Sequence, residues 1–295
     1  MNARNPNTTA VRLALPKGRM QAGLTRLLEG AGVRLTSGSR NYRPRVSLDG
    51  FEAKLLKPQS IIEMLQSGSR DVGFAGADWV AELDADLVEV LDTGLDPVRL
   101  VAAAPSNFLV DGRLPDRSLV VASEYTRLTE DWIRDRGLDA RFVRSYGATE
   151  VFPPEDADCI VDNTATGSTL RANDLAIVDE LMRSTTRMYA CPAAMDDPSR
   201  RQRIEDLALL LRGVLEARQR VLIEFNVDED RLDPLLEVVP CMREPTISRL
   251  AGNGYAIRVA ILRDVLPALI PRIRTLGGTD ILVSAPDLIV PGGAA

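Results

Sequence analysis

Short apolar runs and stripes of helical spacing take turns along most of this chain. That alternation limits the possible folds more than any other feature. Residues 11–15 alternate as a strand does, and Pro16-Lys17-Gly18-Arg19 breaks the pattern. Met20, Leu24, Leu27, Leu28 and Ala31 then recur at helical spacing until Gly30 and Gly32 end the helix. The same reading predicts strands at 51–56, 71–76, 98–104, 118–122, 140–145 and 158–162. Helices are predicted over 60–66, from Ala77, and over 126–136 up to Gly137. Strands that alternate with helices imply a mostly parallel sheet, so an all-α or all-β fold is excluded. A second unit starts after Pro105, and the extended pieces 175–183 and 187–191 return towards the first. Two linked lobes of this kind leave a cleft between them, a usual place for a small molecule.

The pattern changes after a long helix at 197–220, in which Ile204, Leu207, Leu211, Val214 and Leu215 form one stripe. Strand, helix, two strands, helix and strand follow at 221–227, 231–238, 246–250, 255–262, 267–276 and 281–285. That order is a ferredoxin-like split βαβ unit.

Residues 158–175 carry the chemistry. The apolar run 159–161 has the length of a buried strand, Asp162 lies at its end, and Thr164, Thr166, Gly167, Ser168 and Thr169 follow. A helix starts at 170–173. A turn rich in glycine and hydroxyls, placed between a strand and a helix, gathers backbone N–H and O–H donors in one concavity. It suits a phosphate dianion. Asp162, one turn away, can accept hydrogen bonds from sugar hydroxyls. Without the strand and Asp162 in front, Thr-Gly-Ser-Thr alone reads equally well as a capped turn. Lys17 and Arg19 follow the first strand, where α/β proteins bind ligands; as isolated residues they read equally as solvated charges.

Composition bounds the chemistry. With no histidine in 295 residues, Ser-His-Asp and Cys-His catalysis and most zinc sites are excluded. No apolar run reaches the length of a membrane span, and 1–10 lacks the apolar core of a signal peptide. Both ends, 1–10 and 291–295, read as frayed tails. A net charge of −6 argues against nucleic acid as a partner, so an anionic ligand must be met by local cations and backbone donors. Cys159, Cys191 and Cys241 are scattered, make no metal spacing, and suggest buried thiols in a reducing cytoplasm.

Taken together, the motifs resemble the long form of the ATP phosphoribosyltransferase family, over nearly the whole chain. Leu15-Pro16-Lys17-Gly18-Arg19 is similar to its Leu-Pro-Lys-Gly-Arg, and Leu56-Lys57-Pro58-Gln59-Ser60-Ile61 to its Leu-Arg-Pro-x-Asp-Ile. The run 71–78 resembles Asp-Leu-Gly-Ile-x-Gly-x-Asp. Ser123-Glu124-Tyr125 resembles Thr-Glu-Tyr, and Gly147-Ala148-Thr149-Glu150 resembles Gly-Ser-Val-Glu. Asp162 to Leu170 resembles the loop for the 5′-phosphate of phosphoribosyl pyrophosphate, and the run 239–248 resembles Leu-Pro-Gly-Met-x-x-Pro-Thr-Val-Ser. Lys57 stands for the usual Arg, Ser60 for the usual Asp and Ala77 for a common Lys. These departures leave a second reading open, a catalytically altered or idle paralogue acting as a regulatory subunit or small-anion-binding protein.

The resemblance implies an α/β fold. It has a two-lobed catalytic part of mostly parallel sheets, like periplasmic binding proteins, and a C-terminal ferredoxin-like (βαββαβ) regulatory domain. Lobe I takes 1–104 and 184–218, lobe II takes 105–183, and the regulatory domain takes 219–295. It implies transfer of the phosphoribosyl group to N1 of ATP with release of pyrophosphate, the first step of histidine biosynthesis. Mg²⁺ is the expected cofactor, histidine the expected feedback inhibitor, and a homo-oligomer, dimer to hexamer, the expected assembly. By resemblance Asp162, Glu150 and Arg19 are catalytic. Lys17, Lys57, Thr164, Thr166, Gly167, Ser168, Thr169 and Leu170 bind substrate, and Thr246 and Ser248 lie at the histidine site.

Overall fold

The computed structural model describes residues 10–36, 42–290 and 292. The tails expected at 1–10 and 291–295 fall outside the described residues, apart from Ala10 and Gly292. The chain divides into two compact units: Met1–Arg26 with Val33–Ala208, and Leu27–Gly32 with Leu209–Ala295.

The first unit runs β1 (Val11–Pro16), α1 (Arg19–Gly30, whose last residues count with the second unit), β2 (Leu35–Thr36), β3 (Arg45–Val46), β4 (Phe51–Leu56), α2 (Pro58–Gln66), β5 (Val72–Gly76), α3 (Ala77–Glu82) and β6 (Val88–Pro105). It continues through β7 (Leu119–Ser123), α4 (Thr126–Arg136), β8 (Ala140–Arg144), β9 (Cys159–Thr164), α5 (Ser168–Ala172), β10 (Leu175–Ala190), α6 (Pro192–Asp196) and the first half of α7 (Pro198–Gln219). Both expected lobes share a single sheet, in the order β4-β1-β5-β10-β6-β9-β7-β8. Its two ends are parallel, and the long strands β6 and β10 join them antiparallel through the middle. The two extended pieces expected at 175–183 and 187–191 are therefore one strand. β6 begins ten residues before the predicted 98–104.

Alternation along β6 builds both faces of the sheet. Leu100, Ala102 and Ala104 pack with Tyr125, Trp132 and Val161 on one side. Val101 and Ala103 pack with Ile160, Leu170 and Leu175 on the other. Strands covered on both faces read as nearly continuous apolar runs, which is how these read in the sequence. At the other end of the sheet, Ile61, Ile62 and Leu65 of α2 bury against Ala14 and Ala75. Each such aliphatic side chain contributes about 1.5–3 kcal/mol when fully buried.

The second unit includes β11 (Arg220–Val227), α8 (Leu232–Leu236), β12 (Thr246–Arg249), β13 (Tyr255–Leu262), α9 (Leu266–Thr275) and β14 (Thr279–Ser284). Its sheet is antiparallel with the order β12-β13-β11-β14, the ferredoxin-like arrangement. Val221, Ile223, Phe225 and Val227 point to one face of β11 and pack with Leu235, Leu269 and Ile273. Cys159 and Cys191 are buried as expected, whereas Cys241 is exposed, in an irregular segment before β12.

Candidate active site

Parallel strands bring their carboxyl ends to one edge, and the loops that follow them meet there. β9 pairs with β7 in parallel and with β6 antiparallel, with Asp162 opposite Val101. Glu124 follows β7, Gly147 to Glu150 follow β8, and Asp162 to Leu170 end β9 and open α5. These residues, Gly167 apart, line one cavity of about 350 Å³, and Arg19, the first residue of α1, reaches its rim. A smaller cavity of about 180 Å³ adjoins it, sharing Arg19 and Asn163. Lys17, Pro58, Asp78, Trp79 and Ser184 to Thr186 are also in its lining.

The loop after β9 is held by its own hydroxyls. The Gly167 N–H donates to Thr164 Oγ1 at 3.0 Å, and the Thr166 and Ser168 hydroxyls are 3.1 Å apart. Gly167 sits in the left-handed region at φ 74°, and Arg171 Nη1 lies 3.0 Å from where a Cβ would be. The same Nη1 donates to Thr166 O at 3.0 Å. The helix starts at Ser168, two residues earlier than predicted, and is short. Its first N–H groups lack intrahelical acceptors and face the loop. Thr164 is buried and Leu170 packs into the core, so Leu170 can offer a ligand only its backbone. Thr166, Ser168 and Thr169 are exposed to the cavity.

Asp162 is the electrostatic centre of the site. Burial pushes its carboxyl up to about 6 from 3.8, and the Glu150 and Glu124 carboxylates add to the rise. The Asn163 N–H, at 2.7 Å, and the Arg19 charge oppose it. Lys17 lies 5.2 Å from the centre of the Tyr42 ring, and Lys57 stands at the N-cap of α2. The expected residues of the first unit thus gather around the two cavities, except that Lys57 and Gly167 line neither. Thr246 and Ser248 belong to β12 of the second unit, on its edge.

A buried polar network under the smaller cavity was not assigned from the sequence. Tyr125 donates to Asp78 Oδ2 at 2.6 Å, Ser184 donates to Asp78 Oδ1 at 2.7 Å, and Asn163 donates to the Tyr125 oxygen at 2.9 Å. Trp79 stacks on Tyr125 with ring centres 4.7 Å apart. Burial, then Asp78, push the Tyr125 phenol far up, so it stays a protonated donor. Asp78 and Tyr125 stand inside motifs noted above, but their roles depend on partners 47 and 106 residues away. Asn163 lay within the loop motif without an assigned role, and Ser184 had no sequence signal.

Three carboxylates near the cavity are hard oxygen donors of the type Mg²⁺ prefers. Among the described residues, no three acidic, His or Cys side chains cluster closely enough to hold a metal ion alone. These carboxylates fit one or two of the oxygen ligands of a Mg²⁺.

Comparisons with known proteins point to one family. The family model described as HisG: ATP phosphoribosyltransferase matches residues 57–213, and HisG, C-terminal domain matches 217–285. An ATP phosphoribosyltransferase of Pelotomaculum thermopropionicum is 37% identical over 287 residues, spanning 95% of this chain and 99% of that one. One of Chlorobaculum parvum is 37% identical over 281 residues, spanning 93% and 96%. Among solved structures, a chain of the ATP phosphoribosyl transferase (HisG:HisZ) complex from Thermotoga maritima aligns with a TM-score of 0.62 at 25% identity, over 70% of this chain and 98% of that chain. Family models over both units and relatives matched nearly end to end place this chain in the ATP phosphoribosyltransferase family.

Proposed function

We propose that the chain transfers the phosphoribosyl group of phosphoribosyl pyrophosphate to N1 of ATP and releases pyrophosphate, the first step of histidine biosynthesis. The carrying observation is the convergence of the phosphate-type loop, Asp162, Glu150 and Arg19 on one cavity at the strand ends. Adenine N1 has a free lone pair and no proton to lose. The new N1–C1 bond forms as the C1–O bond to pyrophosphate breaks, so no imidazole base is needed. Positive charge builds on the ribose, which makes positioning and electrostatics the main work of the site. In this reading the backbone N–H groups after Gly167, with Thr166, Ser168 and Thr169, hold the 5′-phosphate. Ionised Asp162 orients the ribose hydroxyls and faces the developing charge. Glu150 borders the same ribose, and Lys17, Arg19 and Lys57 meet the phosphates of ATP or pyrophosphate. When bound, Mg²⁺ would neutralise charge on the departing pyrophosphate.

No observation favours a catalytically idle chain. Incubation with ATP, phosphoribosyl pyrophosphate and Mg²⁺ should release pyrophosphate in proportion to enzyme. Absence of release from folded protein would sink the reading. The assembly is proposed as oligomeric, in keeping with the complex formed by the Thermotoga relative; light scattering at one subunit mass would contradict it. Among the described residues no helix is long and apolar enough to cross a membrane. A cytoplasmic location and feedback by histidine complete the proposal, and localisation of a tagged chain to any other compartment would refute the first.

A further inference from the structure

Beside β3 and the start of β4, the first unit encloses another cavity, of about 450 Å³. Asp49 and Gly50 precede β4, Phe51 opens it and Arg70 precedes β5, whereas Lys17 and Lys57 follow β1 and β4. Because these strands are parallel, this cavity reaches the opposite end of the sheet from the catalytic cleft. Among the described residues, Arg43, Arg45, Lys54 and Arg70 line it against Asp49 and Glu52, a local excess of positive charge in a chain of net −6. The Arg70 Nε is buried and has no hydrogen-bond partner among the described residues. Burial pushes the Arg70 guanidinium down, and the Arg12 and Arg43 charges push it further. The Asp71 and Glu52 charges offset this only in part, and the Asp71 carboxylate is itself engaged by Arg12 at 2.6 Å and Arg200 at 3.2 Å. A fifth cation, Arg203, lies in the space that a Cβ on Gly50 would occupy, over the turn lining the cavity.

A buried guanidinium N–H with no acceptor, set among like charges, carries a desolvation and repulsion cost that a bound anion removes. Guanidinium forks match the oxygens of a phosphoryl group, and one such group would bridge these cations. We propose that this cavity binds a phosphoryl group, free or on a small metabolite, at a site separate from the catalytic cleft.

Hydrogen–deuterium exchange on the intact chain tests it, because exchange reports where protection falls. Inorganic phosphate should protect peptides covering 43–54 and 67–72. Arg70→Met and, independently, the exposed Arg45→Met should each raise the phosphate needed for half-protection there by about tenfold, the scale of one charge-assisted hydrogen bond. Protection at 162–170 should be unchanged in both variants. Because Arg45 is exposed, its variant keeps the test valid if Arg70→Met folds poorly. A nucleoside diphosphate that protects 43–54 at concentrations well below those of phosphate would identify a nucleotide as the natural occupant; equal concentrations would identify free phosphate. Protection confined to 162–170, or protection at 43–54 indifferent to both substitutions, would overturn the proposal.

Discussion

Asp162 shows how one residue carries opposing demands. Its raised pKa means that the folded state holds the proton more tightly than the unfolded chain. The sign follows: burial of the charge destabilises the fold as pH rises from about 4, and the effect is complete above about 6. Asp162→Asn removes that charge and keeps the shape. The variant should therefore melt at a higher temperature than the native protein at pH 8, with the gap narrowing below pH 6 and closing near pH 4. Its turnover should fall by roughly 10²-fold or more, the scale of a lost electrostatic contact in a transition state. A lower melting temperature at pH 8, or near-normal turnover, would show that Asp162 is a structural residue. Native activity should rise with pH through about 6 and then level off. Gly167 makes a separate demand, since its φ of 74° disfavours a β-branched side chain by about 1–2 kcal/mol. Gly167→Val should raise the Michaelis constant for phosphoribosyl pyrophosphate far more than that for ATP. Equal effects on both in steady-state kinetics would remove the loop from the phosphate site.

The elements follow local pattern where the pattern is local. The β9–loop–α5 stretch was legible because its strand, its carboxylate and its hydroxyls are contiguous. The helix α4 matched its predicted span because Gly137 closes it in the left-handed region. The long strands were not legible, since Gly94, Asp96 and Pro97 interrupt β6 as turn residues do. The structure absorbs them through register shifts between β6 and β10. Those shifts arise from pairing with residues some 90 positions away, which no window along the chain can contain. Long separation in sequence likewise hid the Asp78, Tyr125, Asn163 and Ser184 network. It also hid the ion cluster in which Asp71, at the head of β5, joins Arg12 of β1 and Arg200 of α7. Burial alone would raise the Asp71 carboxyl, but hydrogen bonds from Arg12 and the two arginine charges outweigh it and hold it below 3.8. A depressed carboxyl stabilises above its unfolded pKa and stops doing so as pH falls through its folded value. Asp71→Asn should thus cost about 3–5 kcal/mol at neutral pH, because Arg12 loses its carboxylate and Arg200 keeps only Asp197 at 3.7 Å. Urea unfolding should show the gap from the native protein constant above pH 5 and shrinking below pH 4. A gap that grows in acid would refute the assignment.

At the scale of the whole molecule, the question is what the second unit adds. It has its own core and sheet, contributes none of the phosphate loop, and matches the C-terminal family model over 217–285. Free histidine is the ligand we propose for it. Thr246 and Ser248 lie two residues apart on the edge strand β12, which puts both hydroxyls on the same face. Both are exposed, so they are not consumed by the core and remain available as donors to a carboxylate. A site of this kind regulates only if it is coupled to the cleft, and coupling of binding is reciprocal. If histidine weakens the binding of substrate, substrate must weaken the binding of histidine by the same factor. We expect histidine at millimolar or lower concentration to inhibit the intact chain, and phosphoribosyl pyrophosphate to raise its dissociation constant for histidine in calorimetry. Thr246→Ala with Ser248→Ala should weaken histidine binding by about tenfold, the scale of one or two hydrogen bonds, while leaving uninhibited turnover unchanged. A chain ending at Arg220 should lose histidine binding while still binding phosphoribosyl pyrophosphate. Binding that survives the truncation would move the histidine site to the first unit. No binding to the intact chain would leave assembly of the oligomer as the remaining role for this unit.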